Sequence, residues 1–193
     1  MAAAFLPLLA ASAATLTPQP ADLAVLKAFK AACYVVPDFD RIGAAAEKAG
    51  WVWVPAASHP NLDMLITKGR AATEKLEPDA KIAGSQYRGT FGGRTVYLIT
   101  SRYQDKDGAW SNGCRVYDFD ATAPMPLATL TKWMKRPNTG TLPLPEGNTK
   151  YLWEPGWKPG RTVESSFVPG NDPISQQFGL KGRVLTAQAI GGF

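Results

Sequence analysis

The stretch "KIAGSQYRGTFGGRTVYLITSRY", residues 81 to 103, constrains the fold of this chain more than any other. Two runs flank the pair Gly92-Gly93, and the second is crowded with β-branched and aromatic side chains. Such side chains pack well on a pleated surface. A glycine pair supplies the positive φ angles of a tight hairpin turn. The pattern predicts two antiparallel strands. "QDKDG" then reads as a turn and "GCRVYDF" as a returning strand, so the simplest nucleus is a three-stranded antiparallel meander.

The segments on either side fit around such a nucleus. Asp22 reads as an N-cap, with Leu26, Phe29 and Cys33 behind it on one helical face. Pro37 stops that helix, and Asp38 caps the next, "FDRIGAAAEKAG". "WVWVPA" reads as a short buried strand, with Trp51 and Trp53 inward. Asn61 is placed as the cap of a longer helix after Pro60. Its stripe of Leu62, Leu65, Ile66, Gly69, Ala72, Thr73 and Leu76 keeps a helical period. Glu77-Pro78 ends it. A short helix with Leu127, Leu130, Trp133 and Met134 follows Pro126. "KYLWEPGW", "RTVESSFV" and "GRVLTAQAI" are the remaining strand candidates. Early helices followed by clustered strands predict an α+β fold: an antiparallel sheet with helices packed on one face. The 193 residues are read as a single domain over 22–193. A chain of this size buries roughly 70% of its unfolded surface, so it folds without a covalent staple.

No charged side chain precedes Asp22. Residues 1–14 read as a secretory signal peptide, because an apolar run meets the small-x-small pattern Ala11-Ser12-Ala13. Residues 15–21 follow as a flexible leader. The start lacks the usual Lys or Arg, which leaves an Ala-rich tail as the alternative. The run is shorter than the ~20 residues of a spanning helix. A periplasmic or secreted chain is expected, with no transmembrane segment once the signal is removed.

Cys33 and Cys114 are the only cysteines. In an oxidising compartment two cysteines usually pair, and this pair would tie the first helix to the third strand of the meander. Two buried free thiols are the alternative for a cytosolic chain. Two cysteines and a single histidine do not make a structural zinc site, and no Cys-x-x-Cys supports redox chemistry. "FKAACYVVPDFDRIGAAAEKAGW" followed by "GCRVY" resembles a group of small exported alphaproteobacterial proteins with an Ala-Cys, Gly-Trp, Gly-Cys arrangement. The resemblance implies an envelope location and a Cys33–Cys114 pair. It implies no activity.

The chemistry-bearing residues are sparse. His59 is the sole histidine and follows Ser58. A hydrolase built on Ser58 and His59 would have to recruit a distant acid such as Asp118, and no Gly-x-Ser-x-Gly elbow accompanies them. Asp105 and Asp107 begin like a calcium loop, but Ala109, Trp110 and Val116 occupy its later ligand positions, which favours a hairpin turn. Asp118 and Asp120 read as solvated acids at a strand end. "GSQYRGTFGG" fits no phosphate-loop spacing, so no cofactor and no metal are expected. The net charge of +5 is modest and its basic residues are interleaved with acids, unlike the concentrated face of a nucleic-acid binder. Of six tryptophans, Trp110, Trp153 and Trp157 lie near turns, where aromatics build ligand grooves or plug sheet ends. The sequence therefore favours a non-enzymatic exported domain that binds an envelope protein or a small ligand through Trp110, Trp153 and Trp157. The envelope hydrolase and a structural accessory protein are the alternatives.

Overall fold

Two four-stranded meanders meet edge to edge in the computed structural model, which describes residues 19–143 and 147–193. The first comprises β1 (Val52–Trp53), β2 (Lys81–Phe91), β3 (Arg94–Gln104) and β4 (Trp110–Asp118). The second comprises β5 (Gly140–Pro143), β6 (Thr149–Trp153), β7 (Thr162–Val168) and β8 (Gly182–Gly191). β4 pairs with β8, giving one antiparallel sheet in the order β1-β2-β3-β4-β8-β7-β6-β5. Gly92 and Gly93 turn the first hairpin with φ of 59° and 81°, and Phe91 faces Arg94 across them. The helices are α1 (Pro20–Cys33), α2 (Phe39–Lys48), α3 (Pro60–Leu76), α4 (Leu127–Met134) and α5 (Pro173–Phe178). The α+β class is as the sequence indicates.

Strand alternation divides the apolar residues between two faces. Val96, Leu98, Cys114, Val116, Leu185 and Ala187 point one way, into a core shared with Leu26 and Phe29 of α1, Ile42 of α2 and Leu130 of α4. Tyr97, Tyr117 and Val184 point the other way, onto Leu62 of α3. The helices thus pack mainly on one face, and α3 with its neighbour α5 covers part of the other.

The disulfide joins Cys33, the last residue of α1, to Cys114 in the middle of β4 across 81 residues. Its Cα atoms are 5.5 Å apart, inside the range a bridge requires. Both cysteines are fully buried.

Several local expectations shift. α1 begins at Pro20, inside the stretch read as leader, because proline suits the first helical turn. Asp22 is therefore not a cap; it is buried in that first turn, bonded to two arginines. His59, not Asn61, caps α3: its Nδ1 accepts from the Asn61 N–H at 3.2 Å. The Asn61 side chain instead donates to the Gly179 carbonyl, tying α3 to α5. "WVWVPA" contributes only the two-residue edge strand β1, with Val52 and Trp53 65% and 57% exposed. An edge strand has one neighbour to cover it, and Trp51 alone is drawn inward, against Phe91. β4 ends at Asp118, so Asp120 lies beyond the strand. The expected signal peptide over residues 1–14, and the expected leader through residue 18, lie outside the described residues. Among the described residues, no helix is long and apolar enough to cross a membrane.

Candidate functional site

The apolar stripe of α3 is longer than the contact it makes. Leu62 is buried and Leu65 and Ile66 pack on the Tyr97, Tyr117 and Phe119 side chains, but Leu76 at the far end is 81% exposed. The sheet beneath explains the difference. Under the first turns of α3 the floor is aromatic. Further along it falls to Gly84, Ser101 and Gly113, which sit side by side on β2, β3 and β4. Large rings prop one end of the helix and small residues leave space under the rest. Gly69 widens the gap from above, since a Cβ at that position would meet nothing within 4 Å. The result is an open cleft of about 330 Å³ walled by Leu65, Ile66, Thr73, Ile82 and Ile99. Its volume lies at the lower end of the range for small-molecule sites. At the far end the Tyr103 hydroxyl donates to the Glu77 carboxylate, linking β3 to the C-terminal cap of α3. That bond to an anion pushes the Tyr103 pKa up to about 12.

A polar row crosses the cleft floor and continues beyond it. The Arg115 guanidinium lies over Gly113, where an added Cβ would come 2.6 Å from Nη1. Its Nη1 donates to Ser101 Oγ at 2.9 Å and its Nη2 to Gln188 Oε1 at 3.2 Å. Gln188 Nε2 in turn donates to Glu164 Oε1 at 3.4 Å. Lys150 Nζ sits 2.7 Å from Glu164 Oε2. Ser101, Arg115, Gln188, Glu164 and Lys150 occupy five neighbouring strands. The fixed fork of the guanidinium orients the glutamine amide, and the amide orients the carboxylate. Burial pushes the Tyr117 phenol up from its ordinary value, partly opposed by the Arg115 cation.

None of the three tryptophans expected to form a groove borders this cleft. Trp153 is fully enclosed, with its indole N–H donating to the Arg136 carbonyl at 3.3 Å, and offers no ring to solvent. Trp157 is half-buried in an aromatic cluster with Phe29, Tyr34 and Trp133. Trp110 lies over Gly191 and packs on the main core. All three belong to the α1 side of the sheet, packed in or against its core, so none of them lines the cleft.

The hydrolase candidates are likewise committed elsewhere. Ser58 is exposed on a short 3-10 turn. His59 stacks on Phe119 with ring centroids 4.8 Å apart, and its Nδ1 caps α3. Asp118 points to the opposite face, 3.0 Å from Arg94. Partial burial lowers the His59 pKa, with Lys181 adding to the effect and Asp120 opposing it. A histidine harder to protonate folded than unfolded makes stability fall as pH drops below the unfolded value near 6.5, until the folded form titrates as well. Protonation also removes the lone pair that caps α3. The expected result is a thermal midpoint that declines between pH 7 and pH 5, with a flatter profile in His59→Asn, which caps without titrating. Parallel profiles would show that His59 does not couple to folding.

Comparison with known proteins gives no likeness to add to this geometry: no family model, no curated protein and no solved structure matches the chain.

Proposed function

We propose that this chain is a non-enzymatic binding domain working outside the cytoplasm, and that it holds a small, largely apolar molecule in the cleft under α3. The cleft carries this reading. It is preformed by residue size, walled by aliphatic side chains, and floored by a few fixed polar groups, the usual composition of a small-molecule site. Leu65 and Ile66 of the helix above it are only half-buried, which leaves apolar surface for a ligand to cover. The disulfide supports the extracytoplasmic part, since such bonds persist in oxidising compartments.

The test is a neutral apolar fluorophore, naphthalene, titrated into the native chain and into Gly69→Phe. The substitution places a ring where the backbone leaves open space, and it replaces a helix-weakening glycine, so folding is preserved. The native chain is expected to bind the probe, and Gly69→Phe to bind it at least about tenfold more weakly, a change of ~1.4 kcal/mol. Equal binding by both chains would place the probe elsewhere and remove the reading.

A further inference from the structure

We infer that the molecule held under α3 is an apolar acid, a hydrocarbon body ending in a single oxyanion head that Arg115 receives. The inference rests on the cleft being a ligand site and adds the chemistry of the ligand.

Four observations converge on it. First, Arg115 has no carboxylate within 4 Å among the described residues; Lys81 and Arg88 of β2 share this but are exposed, whereas the less exposed Arg94, Lys150 and Arg183 are all paired. Second, the acid closest along its hydrogen-bonded row, Glu164, is already held at 2.7 Å by Lys150, and a neutral amide separates it from Arg115. Third, the residues lining the cleft include Arg115 and Arg70 but no Asp or Glu. Fourth, Arg115 makes two hydrogen bonds to the protein, and the rest of its five N–H donors have no protein acceptor among the described residues. Arg115 is half-buried in an open cleft, so water serves these donors until a ligand displaces it. An oxyanion entering the cleft would supply both the charge and the paired acceptors that a guanidinium fork receives best.

Geometry limits the body. The volume of about 330 Å³ matches roughly eleven water-sized atoms at ~30 Å³ each. An eight-carbon chain with its head group fits, with the head on the small-residue floor at Ser101 and Gly113 and the tail toward Leu65 and Ile99.

The experiment compares octanoate, octyl phosphate, octan-1-ol and octylamine by calorimetry on the native chain, Arg115→Gln, Arg115→Lys and Arg41→Gln. Octanoate or octyl phosphate is expected to bind at least about tenfold more tightly than octan-1-ol, as for a hydrogen bond to a charged group, and octylamine most weakly. Whichever acid binds better identifies the head. Arg115→Gln should erase the preference while octan-1-ol still binds. Arg115→Lys keeps the charge but not the fork and should retain part of it. Arg41→Gln, on α2 across the sheet, should change nothing. Equal binding of alcohol and acids by the native chain would overturn the acid assignment and leave the cleft as an apolar site. A preference that survives Arg115→Gln, or falls equally in Arg41→Gln, would overturn the role of Arg115. Failure of all four compounds together with the neutral fluorophore would overturn the cleft itself.

Discussion

Replacing Cys33 and Cys114 together by alanine lowers the thermal midpoint by about 10 °C, the equivalent of ~3–4 kcal/mol for a chain of this size. Cross-linking across 81 residues removes loop entropy from the unfolded chain worth ~4.5 kcal/mol in the simplest model, and measured effects run below it. The location adds to the effect. The bond joins the end of α1 to the middle of β4, and both sulfurs lie inside the main core, so their loss also leaves a gap beneath α1. Alanine at both positions avoids burying an unpaired polar group, so the loss combines the cross-link with the gap and nothing else. A fall smaller than about 1 kcal/mol would mean that core packing, not the cross-link, decides where α1 sits. The same bond tests the compartment. Protein recovered from an exporting bacterium should show no alkylatable thiol until it is both reduced and unfolded, because neither sulfur reaches solvent. Its mass should correspond to a chain cut near Ala13 or Ala14. An uncut chain with two free thiols would remove the extracytoplasmic reading.

How much of this was legible in the sequence depends on how local each signal is. The Gly92-Gly93 hairpin was visible because two adjacent residues and two flanking runs specify it alone. The second meander was visible as strands, but its junction with the first was not. β4–β8 pairing joins segments far apart in the chain, and no short pattern encodes such a register. The tryptophans misled for a related reason. A ring near a turn has the same neighbours in sequence whether it plugs a core or faces water, and Trp153 became one of the most enclosed side chains because β7 and α4 close over it from a distance. The cleft left one trace, Gly69 within an otherwise apolar helical stripe. A gap on a buried stripe is ambiguous until the opposing surface is known. Here that surface is Gly84, Ser101 and Gly113, three residues from three strands whose alignment exists only in the folded sheet. Arg115 was equally silent: its significance lies in lacking a counter-charge, and that is a property of its surroundings.

Asp22→Ala destabilises the chain by about 3–5 kcal/mol, as expected when one member of a buried ion-pair network is deleted. The Asp22 side chain is 2% exposed, and its Oδ1 lies 2.7 Å from Arg183 and 3.2 Å from Arg94. Arg94 also reaches Asp118 at 3.0 Å. Arg183 fixes the loop before α4 through the Ala123 and Pro124 carbonyls. Four charges thus gather the start of α1, the start of β3, the end of β4 and the start of β8 at one corner. Removing Asp22 leaves Arg94 with Asp118, but leaves Arg183, whose side chain is 12% exposed, with carbonyl dipoles only. The exposed pair Arg102–Asp40 has the same charges and a 3.0 Å separation, yet its deletion should change stability by less than about 1 kcal/mol, because solvent replaces the lost partner. Denaturant unfolding of both variants separates the two cases. The double variant Asp22→Ala/Arg183→Met decides the cause. If the large loss arises from a stranded cation, removing that cation too should restore part of the stability; if the double variant is as unstable as the sum of its parts, the loss is one of packing. The same corner lies at the ends of β3, β4 and β8, the strands that carry Ser101, Arg115 and Gln188. Asp22→Ala should therefore weaken acid binding in the distant cleft only to the extent that it unfolds the chain, and a larger loss in the folded fraction would show that the corner also holds the guanidinium in place.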